Sequence, residues 1–152
     1  MATGVTPSGS ERVHSAQISI RNGQRQWRIP PGPMRQLVRE VLAEQGQTAE
    51  VAIHWIGPRR SAEMNRQFLQ HEGPTDIITF DYGSTPECLR GELFICVSEA
   101  VRQAREFGTT WKQELRRYVI HGLLHLRGYD DRDARTRQRM KREENRLVRR
   151  FA

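Results

Sequence analysis

One stretch decides how this chain is organised, and it runs His121-Gly122-Leu123-Leu124-His125-Leu126-Arg127-Gly128-Tyr129-Asp130-Asp131. On an α-helix, histidines four positions apart are turned by about 40° and advanced by about 6 Å, so both imidazoles leave the same helix face. Gly128 stands where the end of a helix favours a left-handed residue. A turn at this glycine can bring Asp130 or Asp131 back to the two histidines.

Two imidazole nitrogens and one carboxylate oxygen, with an open fourth position, have the composition of a catalytic zinc-type site. The run 118–126 is apolar on nearly every side, which predicts a buried helix. Burying two imidazoles costs free energy unless each has a partner, and a shared metal ion satisfies both. The alternative is a chance pair of ordinary helix histidines.

Gly122 argues against a zinc protease. Those enzymes carry His-Glu-x-x-His, in which the glutamate is the general base. Glycine occupies the glutamate position here and accepts no proton, so peptide hydrolysis by that route is disfavoured. We expect the missing side chain to leave room beside the metal for a bulkier substrate such as a phosphodiester.

The composition describes a globular protein, with 36% hydrophobic and 28% charged residues in 152. No apolar run is long enough to span a membrane. Residues 1–12 lack the apolar segment of a secretion signal and predict a flexible tail, which leaves residues 13–152 as a single domain. Cys88 and Cys96 are expected to be free thiols, and a cytoplasmic location is expected.

The charge balance favours an anionic partner. The net charge is +7, arginine supplies nearly all of the positive charge, and nine basic against three acidic residues lie in 132–150. Nucleic acid is the leading candidate partner. On the last helix we expect Arg135, Arg139 and Arg142 to contact RNA. The alternative is an ordinary solvated helix face.

Alternation and turn signals predict the other elements. Residues 17–20 and 25–29 flank Asn22-Gly23, which predicts a β-hairpin. Strands are expected at 50–56, 76–82 and 92–97, and helices at 34–45, 61–69, 98–107, from 111 onward, and 133–151. We expect an α/β (α+β) fold with one small mixed sheet of about four strands packed with helices, and a metal site at the end of a buried helix.

Three blocks of the sequence resemble one known family. The eleven-residue stretch is similar to His-Gly-x-Leu-His-Leu-x-Gly-Tyr-Asp-His, the signature of the bacterial YbeY family. Its members are single-strand-specific metallo-endoribonucleases of ribosomal RNA maturation. The block 74–80 resembles the family's Pro-Thr-Asp-Val-Leu-Ser-Phe, and the block 91–95 resembles its Gly-Asp-Ile-x-Ile strand. The similarity runs from about residue 18 to residue 147.

The resemblance implies a metal-dependent endoribonuclease that matures the 3′ end of 16S ribosomal RNA and takes part in ribosome quality control. Its implied partners are single-stranded RNA and the ribosome or its small subunit, with no membrane; the oligomeric state stays open. His121 and His125 match the first two metal ligands, and Asp131 stands where the third histidine is usual. Asp130 is a candidate for orienting a ligand or accepting a proton.

Two departures from the family pattern affect these expectations. Asp131 replaces a neutral imidazole by a carboxylate, so manganese or iron become alternatives to zinc as the one divalent metal. Leu69 stands where many members carry an arginine, and Arg66, one turn back, could contact RNA instead. The competing hypothesis is a ribosome-associated RNA-binding protein whose metal is structural, which a fourth protein ligand would favour.

Overall fold

The computed structural model describes residues 16–152, so the tail predicted at residues 1–12 lies outside the described residues. The elements follow the chain in this order: β1, Gln17–Asn22; α1, Pro31–Glu44; β2, Thr48–Ile56; α2, Pro58–Met64, continued by a π-helical turn, Asn65–Leu69; β3, Ile77–Asp81; β4, Cys88–Cys96; α3, Val97–Phe107; α4, Trp111–Leu126; and α5, Ala134–Phe151.

The four strands form one mixed sheet in the order β1-β2-β4-β3. The pairs β1–β2 and β2–β4 are parallel, and β3 runs antiparallel to β4 along one edge. The predicted fold class, an α/β arrangement with a small mixed sheet of about four strands, is confirmed.

The predicted hairpin is wrong. Residues 25–29 form no strand, and β1 pairs in parallel with β2. Gln24 explains the difference, because its Oε1 accepts hydrogen bonds from the backbone N–H groups of Gln26 and Trp27 at 3.0 and 2.9 Å. Gly23 donates its own N–H to the carbonyl of Trp55 at 2.8 Å. These bonds hold a turn that carries the chain away from the sheet toward α1.

One face of the sheet forms the main hydrophobic core. Val51, Ile53 and Trp55 of β2 and Leu93 and Ile95 of β4 alternate along their strands and are buried beneath the helices. The helix α4 is the central element on this face, with nine of its sixteen residues buried. The helix carrying the two histidines is therefore a buried one, as the sequence predicts.

Gly122 allows α4 to approach the sheet closely. A Cβ atom at this position would lie 2.6 Å from Leu93 Cδ2 and 3.0 Å from Ile77 Cδ1. The expectation that this glycine leaves room for substrate beside the metal is therefore wrong, since it faces the sheet. Its small size sets the helix–sheet spacing.

Both ends of α4 follow the predicted local rules. Thr110 and Gln113 form a reciprocal capping box at the start, so the helix begins at Trp111. At the other end Gly128 adopts a φ of 98°, a left-handed conformation that glycine permits without strain. The chain reverses there, and Tyr129 donates its N–H to the carbonyl of Leu124.

The helix α2 begins earlier than predicted, at Pro58. Ser61, where the helix was predicted to begin, instead lies buried inside it. Its hydroxyl donates to the carbonyl of Thr75 at 2.9 Å and accepts the N–H of the same residue at 3.0 Å. Ser61 therefore fixes the loop that leads into β3.

Two further findings concern the rest of the described chain. Cys88 and Cys96 are free thiols, as expected, and both are buried. None of the helices in residues 16–152 combines the length and hydrophobicity needed to cross a bilayer.

Candidate metal centre

His121 and His125 leave the same face of α4, and the Gly128 turn brings Asp131 to them. The Nε2 atoms of the two histidines lie 3.1 Å apart. Asp131 Oδ2 lies 3.6 Å from His125 Nε2. The three side chains each offer a ligand atom within 4.8 Å of the others. The structure therefore brings together the three residues that the sequence predicts as metal ligands.

The remaining ring nitrogens are occupied by protein acceptors. His121 Nδ1 lies 2.7 Å from Glu144 Oε1, and His125 Nδ1 lies 3.2 Å from the carbonyl oxygen of Tyr129. Because an ionised carboxylate and a carbonyl only accept hydrogen bonds, both Nδ1 atoms carry the proton. Both Nε2 atoms then present lone pairs to the same point. This arrangement fits a shared divalent cation.

The pKa of His125 supports this arrangement. Burial lowers it below its ordinary value, and the neighbouring His121 lowers it further, while Asp131 opposes the change. His125 is therefore neutral at neutral pH, which is the form that binds metal.

Glu144 holds His121 from the opposite helix. Burial acts to raise its pKa, but hydrogen bonds from His121 and Arg117 and the charge of Lys141 lower it to about 2. Arg117 Nη1 and Lys141 Nζ lie 2.7 and 3.1 Å from its Oε2. Glu144 is thus an ionised carboxylate that orients one candidate ligand.

Glu144 was not predicted as a site residue, although its position in the sequence carries one signal. Met140, Glu144 and Leu147 lie at helical spacing and are the buried residues of α5. An acidic residue on the apolar stripe of an otherwise basic helix requires a buried cationic partner. The partners lie on α4, the helix that carries the histidines and against which α5 packs.

A cleft of about 800 Å³ adjoins His121 between α4, α5 and the start of β3. Asp131 and His121 lie in its wall, together with four cationic side chains: Arg117, Arg135, Arg137 and Lys141. Arg117 and Lys141 bind Glu144, and Arg137 Nη1 donates to the carbonyl of Asp131 at 3.3 Å. The wall also carries the carboxylates of Asp76, Asp131 and Glu144, so Arg135 and Arg137 are the cleft cations that Glu144 does not bind.

Of the four arginines predicted to contact RNA, only Arg135 lines the cleft. Arg139 lies over the ring of Tyr129, 5.9 Å from its centroid. Arg142 is exposed on α5, and Arg66 is exposed on the π-helical turn; neither lines the cleft. Arg137 lines the cleft and was not predicted.

The three neighbouring aspartates have different partners. Asp130 Oδ2 lies 3.0 Å from Arg132 Nε, and Asp133 caps α5 by accepting the N–H of Thr136. Asp131 alone of the three joins the histidines. Within residues 16–152 no fourth histidine, cysteine or acidic side chain belongs to this group.

Known proteins are similar to this chain in sequence and in fold. The endoribonuclease YbeY of Chlorobium luteolum is 39% identical over 130 residues, which cover 85% of this chain and 93% of that protein. The endoribonuclease YbeY of Bacteroides thetaiotaomicron is 39% identical over 112 residues, 73% of this chain and 81% of that protein. The solution structure of TM1509 from Thermotoga maritima matches with a TM-score of 0.64 at 25% identity, covering 87% of each chain. The family model for endoribonuclease YbeY matches residues 19–152, and this chain belongs to the YbeY family.

Proposed function

We propose that this protein is a metal-dependent endoribonuclease that cleaves single-stranded RNA in the cleft between α4 and α5. The observation that carries the proposal is the convergence of His121, His125 and Asp131 on one point beside a cleft whose wall carries cationic side chains. Three protein ligands leave a coordination position for substrate or water, whereas structural zinc sites are closed by four. This favours an enzyme over a binding protein with a structural metal.

His121, His125 and Asp131 would hold one divalent ion, which supplies Lewis acidity toward a phosphoryl oxygen when bound. Imidazole and carboxylate together suit zinc, and the carboxylate also admits manganese or iron. Glu144 fixes the ring of His121, and Arg135 and Arg137 bind phosphate oxygens of the RNA on either side of the cleaved bond. Asp130 is paired with Arg132 and is not one of the grouped ligands, so its role in orienting a ligand or accepting a proton stays a prediction.

The substrate class follows from the family. Relatives that cover most of this chain are endoribonucleases, which supports RNA as the substrate. The resemblance of the metal motif supports ribosomal RNA as the target, with the 3′ end of 16S RNA as the processed region. The small ribosomal subunit is then the partner, and the cytoplasm is the place of action.

Alanine substitution of the three aspartates tests the assignment of the metal ligands. Asp131→Ala should lower metal affinity by at least about 100-fold and abolish RNA cleavage, because two imidazoles alone bind a divalent ion weakly. Asp130→Ala and Asp133→Ala should retain the metal. Elemental analysis of the three purified variants makes the comparison. Retention of metal by Asp131→Ala together with its loss in either neighbour would contradict the assignment.

Glu144→Gln tests the orientation of His121. Metal affinity, measured by competition with a chelator, should fall by about 10- to 100-fold because the charged acceptor on Nδ1 is lost. Glu143→Gln is the matched control, since Glu143 is adjacent on α5 and pairs with Arg146. Equal affinities for the two variants would show that Glu144 contributes only to packing. Thermal unfolding of the metal-free proteins verifies that both variants fold.

Paired arginine substitutions on α5 test the RNA path. Arg135→Gln with Arg137→Gln removes two charges from the cleft, and Arg142→Gln with Arg149→Gln removes two exposed charges from the same helix. Both variants have the same net charge. The cleft variant alone should reduce the salt dependence of single-stranded RNA binding, by about 1.4 in log–log slope for two phosphate contacts. Identical slopes for the two variants would place the RNA elsewhere.

A further inference from the structure

The face of the sheet opposite α4 is only partly covered. At one end Met64 of α2 packs against Ile56 and Ile78. Beyond that end, the side chains that alternate outward from β2, β3 and β4 are half-buried or exposed. We call this surface the open face.

Aromatic rings form a continuous cluster on the open face. The ring of Phe80 lies 5.1 Å from that of Phe68 and 5.7 Å from that of Phe94, both edge-on. It lies 6.5 Å from the ring of Tyr82 at an interplanar angle of 15°. Phe68 and Tyr82 are 49% and 57% exposed, although both are large aromatic residues. We call Phe68, Phe80 and Tyr82 the aromatic platform.

Tyr82 is held in place despite its exposure. Its hydroxyl donates to Glu92 Oε1 at 2.8 Å, and the other oxygen of Glu92 lies 2.5 Å from His54 Nε2. His54 in turn stacks on Phe94 with parallel rings 4.3 Å apart. The hydrogen bond from the Tyr82 hydroxyl to Glu92 raises the pKa of Tyr82, so the phenol stays neutral. An exposed ring fixed in this way loses little entropy when a partner stacks on it.

A shallow groove of about 520 Å³ begins at Tyr82 and crosses the sheet. Its floor includes Ser19 of β1 and Ala52 of β2, which are paired small residues, and the side chains of Glu50 and Glu92 also line it. Arg21 is exposed on β1, and Arg66 is exposed two positions before Phe68. The two glutamates of the groove are paired, Glu50 with Arg90 and Glu92 with Tyr82 and His54. The open face therefore combines a low floor and exposed π surfaces with nearby arginines, which are components of a single-strand binding surface.

The edge strand β3 contributes residues both to the cleft and to the platform. It presents Ile77 to the cleft and Phe80 to the open face. From Ile77 to Tyr82 the strand spans about 17 Å. This distance is within the reach of the roughly 4–16 nucleotides that one single-strand binding groove covers.

We propose that the aromatic platform stacks bases of the RNA strand whose scissile phosphate lies in the cleft, with the strand crossing the edge at β3. The inference rests on the proposed function, because the substrate in the cleft is the same molecule. Stacking on aromatic rings tolerates any base, so the platform adds affinity for single strands without reading sequence.

Cleavage of two substrates by the metal-loaded protein tests the proposal. For a single-stranded RNA of about twelve nucleotides, Tyr82→Ala and Phe68→Ala should each raise KM by about fivefold or more with kcat unchanged, from the low end of measured stacking contributions. For an RNA of only two nucleotides, which is too short to span the distance of about 17 Å from the cleft to Tyr82, both variants should match the wild type. Tyr82→Phe, which keeps the ring, should keep most of the affinity.

Phe107→Ala is the matched control, since Phe107 is 67% exposed at the end of α3 and belongs to no part of the platform. If both platform variants behave like Phe107→Ala on the long substrate, the platform does not bind RNA and the inference is overturned. Equal losses on long and short substrates would overturn it too, since they would indicate damage to the cleft. If the wild type cleaves neither substrate, the proposed function itself fails.

Discussion

Glu144 accepts a hydrogen bond from Nδ1 of His121 in the interface between α4 and α5, and the candidate metal centre depends on this contact. The bond directs the lone pair of the imidazole toward His125 and Asp131. It also places an ionised carboxylate in a buried position, which is tolerated because Arg117 and Lys141 bind it as well. Glu144 is the buried member of this cluster, and loss of its partners would leave a buried carboxylate without compensation. The same contacts therefore dock α5 and orient the candidate ligand.

Two glycines position α4 for this contact. Gly122 lets the helix lie against Leu93 and Ile77, which fixes its distance from the sheet. Gly128 reverses the chain and returns Asp131 to the histidines. A side chain at the first position would collide with the sheet, and one at the second would strain the backbone. The packing of α4 against the sheet and the turn at Gly128 therefore set the positions of the three candidate ligands.

Local patterns predicted the elements and the three candidate ligands. The spacing of His121 and His125, the Gly128 turn and the Thr110 capping box all depend on residues within one or two helical turns. The predictions were wrong or incomplete where contacts between residues far apart in the sequence determine the structure. Asn22-Gly23 has a hairpin composition, but Gln24 and the carbonyl of Trp55 hold a different turn. Glu144 and Gly122 acquire their roles only from the helix and the sheet that pack against them. The position of Glu144 on the apolar stripe of α5 indicates that it needs a buried partner, but local patterns do not identify that partner.

X-ray absorption spectroscopy of the metal-reconstituted protein tests the central claim most directly, because it counts ligands around the ion. The structure predicts two imidazole nitrogens and one carboxylate oxygen at about 2.0–2.2 Å, no sulfur, and a remaining position filled by an exchangeable solvent oxygen. A coordination sphere with fewer than two imidazoles, or one closed by four protein ligands, would contradict this account of the site.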